Sequence, residues 1–218
     1  MPARSLKARI LAAAPESLRD AVAVLRAGGL VVFPTDTVYG LGADPFNAEA
    51  IARIYRVKGR EATKPLQLLL ADASQLPDVA AEVSDLARRA AEHFFPGGIT
   101  LVLKKAQKVP SNVVAGGGTV GVRVPDHPLC RALVQAFLAP IAATSANRSG
   151  QASPRTAQEA AEQVGDAVDL ILDGGACPVG RESTVLDLSS QRPRLVRPGA
   201  VSKETIERVL GVTLDPSR

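Results

Sequence analysis

Tryptophan is absent from the 218-residue chain, and its aromatic side chains amount to five Phe and two Tyr. So few rings leave little on which unpaired bases could stack, which argues against a platform for single-stranded RNA. Cysteine and histidine are nearly as scarce. Cys130 and Cys177 lie far apart and outside any CxxC pair, and the only histidines are His93 and His127. The usual zinc spacings are excluded, and a disulfide scaffold is disfavoured. No apolar run approaches the roughly 20 residues needed to cross a bilayer. The opening MPARSLKARILAAAP is basic, with an apolar run too short for a secretory signal. A mitochondrial presequence shares that Arg- and Ala-rich character, but a cytoplasmic protein is the expectation.

What is present points to an ordinary globular chain with an anionic partner. The apolar fraction of 46% is enough for a real core, and the length suits one domain over residues 1–218. A net charge of +4 and an isoelectric point near 9.3 favour a nucleotide or a nucleic acid as partner, without choosing between them.

The most informative stretch runs from Leu30 to Leu70. Leu30 to Phe33 reads as a buried strand, ended by Pro34, with Thr35, Asp36 and Thr37 just beyond it. Gly40, Gly42 and Pro45 read as a turn. Asn47 is placed to cap a helix whose inward face carries Ile51, Ile54 and Tyr55. Lys58, seven residues after Ile51, falls on that same inward side, an odd place for a solvated cation. Lys58-Gly59-Arg60 and Lys64 then precede an apolar strand from Pro65 to Ala71.

Elsewhere, Glu16 to Ala27 reads as a helix stopped by Gly28-Gly29, and Ser84 caps a helix through Phe94. Thr156 with Glu159 has the pattern of a capping box, and Ser202 caps a last helix ending near Gly211. Strands are expected at Ile99–Leu103, Val120–Val124, Ile141–Ala143, Val168–Leu172, Thr184–Leu188 and Leu195–Arg197. Strands and helices mix without regular alternation, which predicts a mixed sheet with helices packed on it.

Two nucleotide strings are rejected. Gly116 to Gly121 fits GxGxxG, and Gly175 to Gly180 has P-loop spacing, but an apolar strand follows each where a helix N-terminus should receive phosphate. His127 lacks a GxSxG partner and reads as a turn residue. Asp36, Asp126, Asp173 and Asp187 all sit at strand ends, where turn and cap roles suffice. The cations carry more. Lys58, Arg60 and Lys64 cluster at a strand entrance, while Arg123 and Arg197 interrupt apolar stretches and so each need a carboxylate or a ligand anion. Hydroxyl-rich loops at Thr35–Thr37, Ser145–Asn147 and Glu182–Thr184 complete a site suited to anions.

Taken in order, FPTDTVYGLGAD, KGR from Lys58, KPL at Lys64, VRVPDHP, SANRSG, ESTVLD and LVRPG resemble the YrdC-like family of threonylcarbamoyl-adenylate synthases. The resemblance covers about Leu18 to Ile206 and is to the short form without a second domain. It implies a twisted sheet of parallel and antiparallel strands with flanking helices around a basic cavity. The implied reaction joins L-threonine, bicarbonate or CO2 and ATP, with Mg²⁺ on the nucleotide and no protein side chain as metal ligand. The products would be threonylcarbamoyl-AMP and pyrophosphate, for a tRNA modification beside the anticodon. Partner proteins that pass the adenylate to tRNA, weak contact with tRNA itself, and no membrane association are implied as well.

The family's KxR and SxN signature falls on Lys58, Arg60, Ser145 and Asn147. Positions matching ATP contacts are Arg60, Lys64, Thr119, Ser145, Ser153 and Arg197. Those around the amino acid are Thr37, Arg123, Ala143 and Ser183, with Arg123 expected on the threonine carboxylate and Lys58 and Arg60 facing phosphates. The chain departs from the family at Glu61, Lys64, Leu69 and Thr144, where Pro, Asn, His and Pro are common. The competing readings are a non-catalytic RNA-binding or ribosome-maturation module, and a carbamoyl-adenylate-handling domain like that of hydrogenase maturation factors.

Overall fold

A computed structural model describes residues 8–59, 61 and 63–215. Among the described residues ten strands form one sheet: β1 (Arg9–Ala12), β2 (Val31–Phe33), β3 (Gly40–Ala43), β4 (Gln67–Leu69), β5 (Ile99–Lys104), β6 (Thr119–Arg123), β7 (Ile141–Ser145), β8 (Leu170–Asp173), β9 (Thr184–Asp187) and β10 (Arg194–Arg197). Their order is β1-β8-β2-β3-β7-β4-β6-β5-β9-β10. The β1/β8, β2/β8, β4/β6 and β5/β9 pairs are parallel, and the other neighbours are antiparallel. The mixed sheet is therefore as expected.

The helices are α1 (Pro15–Arg26), α2 (Ala48–Lys58), α3 (Leu76–Val79), α4 (Asp85–Phe94), α5 (Pro128–Phe137), α6 (Ala157–Val164) and α7 (Lys203–Leu210). Strand alternation divides the core into two layers. Val31, Phe33, Leu69, Ile141, Leu170 and Leu172 face α1 and α5. Val32, Leu41, Leu68, Leu70, Ala142 and Ile171 face the opposite side, with α2, α4, α6 and α7. A sheet covered on both faces needs apolar side chains at consecutive positions, which is why these strands read as unbroken apolar runs.

The caps are as the sequence implies. Asn47 accepts from the Ala50 N–H, Ser84 from that of Ala87, and Ser202 from that of Thr205. The Thr156 box is only half formed. Its hydroxyl accepts from the Glu159 N–H at 3.2 Å, but the Glu159 carboxylate accepts from Arg155, one residue before the cap.

One segment needs a larger correction. Gly40 and Gly42, read as a turn, belong to β3, an interior strand between β2 and β7. Their missing side chains make room for the Phe33 ring: a Cβ on Gly40 would lie 2.9 Å from it, and one on Gly42 2.7 Å. Glycine here marks close packing. The β1 strand, within a segment read only as basic, pairs parallel with β8. No helix among the described residues is long and apolar enough to cross a membrane.

Candidate functional site

A cavity of about 500 Å³ opens beside β4, β5, β6, β7, β9 and β10, within the usual size of ligand sites. Its inner end is built on Asp36. Pro34 ends β2, and Thr35 ties the following turn by accepting from the Thr37 and Val38 N–H groups while donating to the Val38 carbonyl. Asp36 is thereby held against β6, where Arg123 is buried at 2% exposure. The Arg123 guanidinium donates to Asp36 Oδ1 at 2.5 Å, to Thr37 Oγ1 at 2.8 Å and to the Gly97 carbonyl at 2.9 Å. Asp36 Oδ1 also accepts from the Asp126 N–H. Desolvation lowers the Arg123 pKa, and the Asp36 carboxylate opposes that shift. Reading Asp36 as a turn residue missed this ion pair. An Arg embedded in an apolar strand was the available signal for a buried carboxylate partner.

Arg123, Ala143 and Ser183 are on the cavity wall, whereas Thr37 sits behind Arg123 and is fully buried. Thr100 and Gln67 also line the cavity. Thr100 Oγ1 lies 2.8 Å from Gln67 Oε1 and 2.9 Å from Ser183 Oγ. Neither Thr100 nor Gln67 is singled out by the sequence, although Thr100 is the polar position within Ile99–Leu103.

Lys58, Ser145 and Asn147 meet at the side of the cavity. As its place on the inward helix face predicts, Lys58 is 3% exposed. Its ammonium donates to the Ser145 carbonyl at 2.5 Å, the Asn147 carbonyl at 2.7 Å and Asn147 Oδ1 at 3.2 Å. Asn147 Nδ2 donates onward to the Arg148 and Gln151 carbonyls. The bonds from its ammonium tie the Lys58 side chain to the 145–147 segment. Lys58 is also one of the residues that line the cavity.

The outer end is more open. Lys64 and Thr119 are exposed wall residues. Arg197 pairs with Glu182 at 2.5 Å and donates to the Ser183 carbonyl at 2.8 Å. Ser153 does not line the cavity itself but donates to Glu182 Oε1 at 2.6 Å. Arg60 lies outside the described residues.

Other chemistries find no support in the geometry. His127 is off the cavity wall, and desolvation lowers its pKa, favouring the neutral ring. Burial pushes the thiols up, to about 12 for Cys130 and about 11 for Cys177, which keeps both protonated at neutral pH. Among the described residues, no group of three or more His, Cys, Asp and Glu side chains converges as a metal site. Gly116, Gly175 and Gly180 have positive φ, a conformation that glycine adopts without steric cost.

Comparison with known proteins gives a consistent picture. The family model for Sua5, YciO and YrdC, described as "Telomere recombination", matches residues 23–199. Threonylcarbamoyl-AMP synthases of Pyrococcus abyssi and Bacillus subtilis are each 44% identical over 89% of this chain. The chain spans only 57% and 56% of the length of those relatives. The crystal structure of P. abyssi Sua5 complexed with L-threonine superposes with a TM-score of 0.89 at 41% identity, covering 94% of this chain and 62% of that one.

Proposed function

The chain belongs to the Sua5, YciO and YrdC family, and from that premise we propose that it is a nucleotidyltransferase making threonylcarbamoyl-AMP. L-Threonine and bicarbonate first combine, with loss of water, into a carbamate. A carbamate oxygen then bonds to the α-phosphorus of ATP, the bond from that phosphorus to the bridging oxygen breaks, and pyrophosphate leaves. Mg²⁺ enters as part of the nucleotide substrate. The adenylate passes on to proteins that modify tRNA, and the described fold works as one domain.

The observation that carries this reading is one cavity whose wall includes Lys58, Arg123 and Arg197, with Arg123 buried and Arg197 half-exposed. The threonine carbamate bears two negative charges and must approach a polyanion, so repulsion dominates the barrier. Fixed donors that hold both anions in line lower it through positioning and charge neutralisation, without a protein nucleophile. The protonated cysteines, and a His127 that does not line the cavity, agree with such chemistry. Arg123, with three of its five N–H groups engaged by the protein, serves the amino-acid end through those that remain. Lys64, Thr119 and Arg197 serve the nucleotide. The L-threonine bound to the P. abyssi relative supports assigning the amino acid to this fold.

The test is pyrophosphate release by the purified protein with ATP, Mg²⁺ and bicarbonate, with and without L-threonine. Release that requires both threonine and bicarbonate is expected. Release without threonine, or RNA binding with a steep salt dependence and no turnover, would overturn the reading. Arg123→Ala is expected to raise the KM for threonine more than that for ATP, and an unchanged threonine KM would remove Arg123 from the amino-acid end.

A further inference from the structure

We infer that Thr100 and Gln67 are positioning residues that set the polarity of Ser183, so that Ser183 accepts a hydrogen bond from the amino acid's amine or hydroxyl and does not donate to its carboxylate. The inference rests on the proposed function and concerns the same cavity. It follows from counting protons. A hydroxyl has one proton and two lone pairs, while an amide oxygen can only accept. Gln67 presents its Oε1 to Thr100 at 2.8 Å, so the Thr100 proton is committed to Gln67. Ser183 Oγ, 2.9 Å from Thr100 Oγ1, must then supply the proton of that second bond. Its donor is therefore used up within the protein. Arg197 Nη2 reaches Ser183 Oγ at 3.3 Å and addresses one lone pair, leaving the other for a ligand.

The arrangement is well placed to hold this polarity. Thr100 is 3% exposed and Ser183 is also 3% exposed, so water does not readily offer alternative partners. Thr100 belongs to β5 and Gln67 to β4, elements separated in the sheet by β6, so three strands fix their spacing. Gln67 Oε1 takes the bond from Thr100, and its amide N–H groups remain available on the cavity side. A carboxylate placed on Ser183 would meet lone pairs, whereas an ammonium, carbamate N–H or alcohol O–H would meet an acceptor. The carboxylate is thus directed away from Ser183.

Calorimetric binding of L-threonine and of ATP to the wild-type protein, Thr100→Val, Thr100→Ser and Gln67→Leu tests this. Thr100→Val keeps the shape and releases the Ser183 proton. We expect about a tenfold loss of threonine affinity, within the range of a buried donor left without its acceptor, and less than a twofold change for ATP. Thr100→Ser should restore binding. Gln67→Leu, at the half-buried wall, should likewise weaken threonine because Thr100 is then free to donate toward Ser183. L-2-Aminobutyrate, which lacks the hydroxyl, and 3-hydroxybutyrate, which has no donor in place of the amine, identify the donor. The analogue missing the group that Ser183 accepts should lose less affinity than threonine on Thr100→Val. Wild-type protein that does not bind threonine would overturn the proposed function, and this inference with it. Wild-type binding with threonine held equally or more tightly by folded Thr100→Val and Gln67→Leu would overturn this inference alone.

Discussion

At the inner end of the cavity the Arg123 and Asp36 side chains are 3% and 8% exposed, whereas at the outer end those of Arg197 and Glu182 are 45% and 35% exposed. Both are Arg–carboxylate pairs at 2.5 Å, yet the physics differs. The inner pair lies in a medium where either charge alone is costly, so each partner requires the other. The outer pair is screened by water and can exchange its carboxylate for a ligand anion at little expense. One cavity thus combines a fixed end, where the proposed function puts the amino acid, with an adjustable end, where it puts the nucleotide. Between them lies the 145–147 loop, fastened by Lys58.

The largest expected effect comes from breaking the inner pair. Asp36→Ala should cost about 3–5 kcal/mol of stability by leaving Arg123 buried without its carboxylate, read as a shift in the denaturation midpoint. A loss below 1 kcal/mol would mean that the inner end is no more fixed than the outer. Next comes the fastening between the ends. Asn147→Ala removes one acceptor from Lys58 and two donations to loop carbonyls, and should cost about 1–3 kcal/mol. Protease sensitivity near residue 150 should rise with it.

At the outer end Arg197→Ala should change stability by no more than about 1 kcal/mol, while ATP binding weakens by a much larger factor than threonine binding. Glu182→Gln sharpens the point further. It removes the carboxylate that occupies Arg197 and Ser153, so ATP should bind a few-fold more tightly with stability almost unchanged. Weaker ATP binding would instead make Glu182 part of the nucleotide site. The smallest effect concerns Cys177, whose pKa is pushed up to about 11 by burial. A raised thiol pKa favours the neutral form, so at pH 8 about one molecule in a thousand carries the thiolate. Labelling by a thiol reagent should be slow in the folded protein and rapid in denaturant.

Local rules made much of the framework legible. Asn47, Ser84 and Ser202 cap the helices that their spacing implied, and the apolar runs at Val31, Ile99 and Ile141 lie in strands. The inward placement of Lys58 followed from its seven-residue distance from Ile51 alone. The same rules failed at β3, because a glycine pair signals a turn unless the ring of Phe33 is known to lie against it. They failed in a second way at Asp36 and Thr100, whose residue types suit ordinary turn and strand positions.

By itself, then, the sequence determined where helices begin, which strands are buried, and which cations and hydroxyls were candidates to gather around one cavity. The tertiary structure decided their pairing. Lys58 finds carbonyls 87 and 89 positions away, Arg123 finds Asp36 at a separation of 87, and Ser183 finds Thr100 at 83. Helical and strand periodicities repeat within a few residues, so they can state which way a side chain points. They cannot state what it meets, because hydrogen-bond direction and charge neutralisation are settled only when distant strands lie side by side.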